Sequence, residues 1–342
     1  MQYDVTIAIP VYNAEKYLRD TMMSALAQDY PSIEFLILDD CGTDTSIDII
    51  RQIQQEHQRG KDMRIVSQPR NMGVGAARNR IIDEARGEFL YFLDADDLII
   101  PTTISLMMDA ARRYDAQWVR ASHERVEAYN GKLSRESIVY EERSFTDNDS
   151  YATFAIRNYG HLDTTIWNIL FKVSLLRQHR LRFVETNFWE DIAFTYELVT
   201  YVERAVLLPT ITYSYYCREN TLSNFQNRSD ISKSEILRNV ATVDSVKPSC
   251  LRLLEKSYFS EWLHAVLTTD FHIACYAIKK RQMIRPYITD AELRSIMQTP
   301  LSLNQTIRYG GIRQVAFWLM GALPPSMSVL FLKIAGKAKG VL

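Results

Sequence analysis

The chain predicts an α/β fold, a doubly wound and mostly parallel sheet followed by a helical C-terminal extension, and three features carry that expectation. Four apolar, β-branched or aromatic runs alternate with helical patterns in roughly the first hundred residues. The runs are nearly continuous, as parallel strands covered on both faces require. From about residue 230 onward the pattern turns helical.

Taken in order, Asp4 to Val11 reads as the first strand, ended by Pro10 and followed by a helix from Asn13-Ala14-Glu15 through Leu18, Met22, Ala25 and Leu26. Ile33 to Leu38 is a second strand running into Asp39-Asp40. Cys41-Gly42-Thr43-Asp44 is a turn that can cap the helix through Ile47, Ile50 and Ile53. Arg64-Ile65-Val66 is a short third strand, and Asn71 to Gly75 is a loop feeding a helix over Ala76 to Ala85. Phe89 to Leu93 is the fourth strand. Pro101 opens a helix through Ile104, Met107 and Ala111, and Gln117 to Ala121 reads as another strand. Residues 124–150 are polar and charged, a surface excursion or a hairpin around Asn130-Gly131. A helix through Phe194, Leu198 and Val202 precedes strands around Pro209, and amphipathic helices follow over 233–243 and 250–278. Two regions are expected, 1–225 and 226–342.

Composition excludes several classes. With 342 residues, 47% of them hydrophobic and 24% charged, the chain is an ordinary globule with material for a real core. A net charge of −1 gives no global field for nucleic acid. Cys41, Cys217, Cys250 and Cys275 are scattered without CxxC spacing, so neither a disulfide frame nor a zinc site is predicted, and a reducing cytoplasm is expected. The six histidines form no HExxH, and Gly73-Val74-Gly75 has Arg78 where a dinucleotide fingerprint has its third glycine. No export leader is expected at the N-terminus.

Asp94, Asp96 and Asp97 place three anions within four residues at the end of the fourth strand. Hard carboxylate oxygens suit Mg²⁺ or Mn²⁺, held by one or two side chains while phosphate oxygens complete the shell. The same run also reads as a solvated acidic turn capping the next helix. Asp40 falls at an equivalent strand end, and open α/β sheets bind ligands outside those carboxyl ends.

Several stretches together resemble the family 2 nucleotide-sugar glycosyltransferases. They are Pro10-Val11-Tyr12-Asn13 with Glu15, Asp39-Asp40 with Thr43-Asp44, Asn71 with Gly73, Arg78-Asn79, and Asp94-Ala95-Asp96-Asp97. Trp167-Asn168, Trp189-Glu190-Asp191, and Arg218 with Asn220 and Ser223 complete the set, which covers roughly the first 225 residues. The resemblance implies a GT-A fold and inverting transfer of a sugar from a nucleotide-diphosphate sugar, uridine-linked by first choice, to a hydroxyl of a glycan or lipid-linked acceptor in bacterial surface-polysaccharide synthesis. Asp191 would be the general base, with Glu190 supporting it. Asp96 and Asp97 would hold the metal. Pro10, Tyr12, Asn13, Glu15, Asn71, Gly73, Asp94 and Ala95 would line the donor site, Asp40 accepting the uracil N3–H and Arg218 clamping the diphosphate. Arg78 either faces the donor or pairs with Asp94, and Asp191 also reads as the start of a helix favoured by its dipole. Trp167 and Trp189 would stack on acceptor sugars or belong to the core. His161 is a candidate acceptor-pocket residue. One departure from the family pattern is Cys41-Gly42, where Gly-Ser is commoner.

Two alternatives compete. A sugar nucleotidyltransferase would carry a glycine- and base-rich loop after the first strand, which Pro10-Val11-Tyr12-Asn13 is not. A non-catalytic scaffold subunit of a glycan-assembly complex would have no need to retain Asp96, Asp191 and Arg218 together. At the C-terminus, Val315 to Leu332 is uncharged and apolar, and Pro324-Pro325 interrupts it, so two short helices fit better than one spanning helix. No acid follows Glu292, whereas six cations do. These helices are expected to lie on an anionic membrane surface, or else to pack on the catalytic domain or on a second subunit.

Overall fold

A computed structural model describes residues 2–129, 132–157, 163–186, 189–217 and 230–342. Its contacts divide the chain into two compact units, Met1–Tyr151 with Thr165–Asn187 and Tyr201–Asn224, and Ala152–Thr164 with Phe188–Thr200 and Phe225–Leu342. The division is interleaved along the chain. The expected boundary at 225/226 falls in 218–229, outside the described residues.

The first unit is built on one ten-stranded sheet. Its strands are β1 (Tyr3–Val11), β2 (Ile33–Asp39), β3 (Met63–Ser67), β4 (Gly87–Phe92), β5 (Leu98–Ile99), β6 (Trp118–Tyr129), β7 (Lys132–Ile138), β8 (Arg143–Phe145), β9 (Ile169–Lys172) and β10 (Ala205–Cys217). The order β3-β2-β1-β4 is parallel throughout, as four apolar runs joined by helical crossovers demand. β9 then runs antiparallel between β4 and β6, and β10 lies parallel to β6. β6 and β7 form the expected hairpin, its Asn130-Gly131 tip outside the described residues. β10 is one strand rather than two, with register shifts between Leu208 and Tyr213 that absorb Pro209. The helices α1 (Leu18–Leu26), α2 (Ser46–Glu56), α3 (Val74–Glu84) and α4 (Thr103–Arg113) follow β1, β2, β3 and β5 in sequence. Val5, Ile7, Ile9, Phe35, Ile37, Tyr91 and Leu93 form the core against Leu18, Met22, Ile50 and Ile104.

Asn168 joins three strands. It is fully buried with φ 56°, a left-handed geometry that asparagine tolerates. Its Oδ1 accepts from the Tyr91 hydroxyl (3.0 Å) and the Thr212 hydroxyl (2.8 Å), and its Nδ2 donates to the carbonyls of Ala121 (2.8 Å) and Ser122 (3.1 Å). No hydrogen-bonding capacity of that amide is wasted.

Of the next helices, α5 (Asn148–Arg157) crosses the division and α6 (Val173–Gln178) belongs to the first unit. The second unit is helical, as its sequence predicts. It contains α7 (Glu190–Leu198), α8 (Lys233–Asp244), α9 (Cys250–Leu253), α10 (Phe259–Lys279), α11 (Asp290–Ile296), α12 (Leu303–Gln305), α13 (Ile312–Ala322) and α14 (Pro325–Ala338). A short parallel pair, β11 (Ile231–Ser232) and β12 (Ile284–Arg285), adds to them. The expected helix over 250–278 is two pieces, and α7 stops before Val202. Pro324 lies between α13 and α14, and Pro325 opens α14, in the first turn where its missing N–H costs nothing.

α7 is fastened to α10 and its neighbours. The Trp262 indole donates to the Tyr196 carbonyl (2.9 Å), the Tyr196 hydroxyl bonds Thr269 (2.9 Å), and Arg252 reaches Glu197 (3.2 Å) and Thr200 (2.9 Å). Nearby, Asp270 is fully buried with its carboxylate 2.8 Å from Lys247 Nζ. Burial pushes the Asp270 carboxyl up to about 7, only partly opposed by the Lys247 cation.

Two outcomes are expected. Asn168→Ala orphans two buried hydroxyls and two buried carbonyls, and should cost about 3 kcal/mol in urea unfolding. Between about pH 4 and pH 7 the native state keeps a proton on Asp270 that the unfolded chain has lost, so stability falls as pH rises through that window. Asp270→Asn should flatten this slope; an unchanged pH profile of urea midpoints would refute the assignment.

Candidate active site

The carboxyl ends of β1, β2 and β4 lie side by side in the first unit, and the loops that follow them are tied together by their own acids. After β1, Asn13 takes φ 49° and its Oδ1 accepts from Thr43 N–H (2.7 Å). Glu15 Oε2 accepts from the Thr45 amide (3.0 Å) and hydroxyl (2.7 Å). In return, Asp44 accepts from Glu15 N–H (2.9 Å) and Ser46 N–H (3.0 Å), and Ser46 Oγ accepts from Ala14 N–H (2.9 Å). Partial burial alone would raise the Asp44 pKa, but those backbone donors outweigh it and hold the carboxyl below the usual range. Pro10 is half-buried, while Tyr12 is 50% exposed.

Asp39 and Asp40 have separate tasks. Asp39 accepts from Cys41 N–H (2.9 Å) and from Ser67 Oγ (3.0 Å). Asp40 is buried and accepts from Met72 N–H (2.9 Å) and Gly73 N–H (3.0 Å), fixing the loop after β3. Asn71 Oδ1 shares the Gly73 donor at 3.0 Å. Gly73 has φ 87°, which a side chain would strain. Cys41 occupies the turn position at φ 56°, its thiol donating to the Gln68 carbonyl at 2.8 Å, so the departure from Gly-Ser keeps the turn. Burial, then the charges of Asp39 and Asp40, raise that thiol's pKa.

At the end of β4 the acids divide. Asp94 and Asp96 are partly exposed, and Asp94 Oδ1 lies 3.5 Å from Arg78 NH2. Arg78 is buried on α3 with its guanidinium 5.6 Å from the Phe183 ring centroid, so the pairing expected as one of its two readings is present. The Ala95 carbonyl accepts from Thr21 Oγ1 (3.0 Å). Asp97, expected to share a metal with Asp96, has its carboxylate turned inward, 0% exposed, accepting from the Tyr213 hydroxyl (2.7 Å) and Tyr216 N–H (2.8 Å). Burial, with Asp94 and Asp96 adding repulsion, drives its pKa well above the carboxylate range. Trp167, expected either on acceptor sugars or in the core, is buried, stacked on Tyr213 (4.6 Å, 14°) and Tyr215 (5.3 Å, 19°) with His123 edge-on at 4.7 Å.

Tyr213 is the residue that sequence reasoning missed. The period of a strand puts Tyr213 and Tyr215 on one face, a signal the aromatic run 213–216 carries. Arg218, the expected diphosphate clamp, lies outside the described residues, as does His161.

The second unit holds the remaining candidates. Trp189, half-buried, precedes α7 at φ 66°, a costly conformation for a bulky residue. Glu190 is buried, and Asp191, partly exposed, accepts from Ile192 N–H (2.8 Å).

The model of glycosyl transferase family 2 matches residues 6–179. The chain belongs to glycosyl transferase family 2. The crystal structure of TarS 1–349 from S. aureus superposes with a TM-score of 0.69 at 17% identity, over 98% of this chain and 92% of that one. TarS 1–349 in complex with UDP-GlcNAc gives 0.60 at 18%, over 99% and 88%. The mannosyltransferase PcManGT of Pyrobaculum calidifontis, in complex with GDP-Man and Mn²⁺, gives 0.51 at 14%, over 99% and 87%. These neighbours share the GT-A fold. The succinoglycan biosynthesis protein ExoO of Rhizobium meliloti is 26% identical over 64% of this chain and 62% of its own length. The matches to the first curated relatives span about a third of their lengths, 37%, 31% and 36%.

Asp40→Ala removes the anchor of the 71–73 loop. Amide exchange at Met72 and Gly73 should accelerate by about tenfold or more, whereas Asp39→Ala should leave both amides protected. Equal acceleration in the two variants would contradict the division of labour.

Proposed function

We propose that this family 2 protein is an inverting glycosyltransferase that moves a sugar from a nucleotide-diphosphate sugar, uridine-linked by first choice, to a hydroxyl of a glycan or lipid-linked acceptor in bacterial surface-polysaccharide synthesis, working in the cytoplasm. The observation that carries the reading is the collection of acids at the carboxyl ends of adjacent parallel strands within the family's fold, where such sheets bind nucleotides. A carboxylate offers about four acceptor sites, so Asp40, with two backbone donors in place, keeps capacity for a uracil N3–H. A TarS structure holding UDP-GlcNAc favours the same donor class.

Asp191 takes the proton from the attacking hydroxyl as the new C1–O bond forms on the face opposite the departing nucleotide diphosphate. Its position in the first turn of α7, where Ile192 N–H already steadies one oxygen, keeps the carboxylate oriented. Glu190 supports it, and Trp189 is the remaining candidate to contact the acceptor. Asp94 and Asp96 fit a divalent cation: both are hard oxygen donors, partly exposed, at one strand end. Mg²⁺ or Mn²⁺ would be held by one or two such carboxylates. Such an ion, when bound, neutralises the diphosphate and stabilises charge on the leaving group. Arg78, paired with Asp94, holds that carboxylate in place, and Arg218 is proposed to contact the diphosphate.

Purified protein is expected to release UDP from a UDP-sugar when Mn²⁺ is present. Asp191→Asn should lower kcat about 10²- to 10⁴-fold with donor affinity retained, and Asp96→Ala should weaken metal-dependent donor binding. Donor binding without nucleotide release would favour the scaffold alternative, and full turnover by Asp191→Asn would overturn the assignment of the base.

A further inference from the structure

The last two helices of the second unit each bury one face and leave an apolar stripe on the other. On α14, Val329, Leu332 and Gly336 are buried, while Met327, Leu330 and Ile334 are 54%, 59% and 58% exposed. Their spacing of three and four places them on one side of the helix. Lys333 and Lys337 flank that stripe and are exposed. On α13, Phe317 and Met320 are buried, whereas Ile312 is 88% and Leu319 38% exposed, with Arg313 exposed beside Ile312. Scattered exposed apolar residues need no explanation, but a periodic stripe rimmed by charge of one sign does.

From this arrangement we infer that α13 and α14 are a docking surface for an anionic lipid bilayer, lying flat with the apolar stripes in the headgroup region and the cations against the phosphates. Charge decides the occupant. The exposed charges carried by α13 and α14 themselves, Arg313, Lys333 and Lys337, are all cationic. A second copy presenting the same face would set these cations against one another, whereas a bilayer rich in acidic headgroups complements them. Spanning is excluded for these elements: among the described residues no helix is long and apolar enough to cross a membrane. The inference gives the sugar-transfer reading a place of work, yet vesicle binding is measured without donor or acceptor, so either can fail alone.

The full chain is sedimented with vesicles of phosphatidylglycerol and phosphatidylcholine, and with phosphatidylcholine alone. It should pellet only with the anionic vesicles and be released by high salt. Each cation near such a surface contributes about fivefold in partitioning, so Lys333→Gln/Lys337→Gln should bind about 25-fold more weakly. Arg51→Gln/Lys61→Gln, which removes equal charge from the sheet unit, should bind like the parent. Leu330→Glu/Ile334→Glu should also lose binding while its thermal melt and its nucleotide-sugar binding stay those of the parent. No pelleting, pelleting with neutral vesicles alike, or undiminished binding by the lysine variant would overturn the inference. So would a concentration-dependent dimer, dissolved by Ile312→Glu, in a chain that ignores vesicles.

Discussion

The first unit depends on how it satisfies carboxylates crowded at one edge of a parallel sheet. A carboxylate only accepts hydrogen bonds, and neighbouring ones repel, so each must find donors or be exposed to water or a cation. Asp39, Asp40, Asp44 and Glu15 find backbone N–H groups of the adjoining loops, and by doing so fix the conformations of those loops. Asp97 finds Tyr213 and the backbone of β10. Asp94 has Arg78 nearby. Charge-assisted bonds of this kind are short and directional, which turns a set of mutually repelling side chains into a scaffold. Asp94 and Asp96 remain partly exposed.

The opposite end of the sheet solves the same problem with side chains as well as backbone. Glu34 is buried, and its oxygens accept from Thr6 Oγ1 (2.7 Å), Arg86 N–H (2.9 Å) and Arg64 Nε (2.9 Å). Arg64 also reaches Glu84 at 2.8 Å. There the buried carboxylate is satisfied by structure, whereas at the carboxyl end Asp94 and Asp96 are partly exposed. In the helical unit, Trp262, Arg252 and Tyr196 tie α7 to its neighbours, so Glu190 and Asp191 begin a helix whose position is set by helices far along the chain.

Much of this was readable from residue order. The four parallel strands, the crossovers between them, the β6–β7 hairpin and the helical C-terminal part follow from periodicity, because a strand buried on both faces and an amphipathic helix leave different patterns. The proline break between α13 and α14 follows from the missing N–H of proline. β9 and β5, the bulge that carries β10 past Pro209, and the pieces of the 250–278 helix were not readable, because pairing partners and register arise from contacts distant in sequence. The interleaving of two units along the chain escapes a linear reading for the same reason.

Residue order determined that acids gather at strand ends, that the fold is a mostly parallel α/β sheet whose motifs resemble family 2, and that the C-terminal cations stand without acids. Which acid faces outward was decided by tertiary structure: Asp96 and Asp97 are neighbours with the same side chain, and only the hydroxyl of Tyr213 and the amide of Tyr216 draw Asp97 into the interior. Trp167 likewise became core because β10 delivers two tyrosines to its faces. A side chain's chemistry is local, but its burial depends on which distant strand arrives beside it.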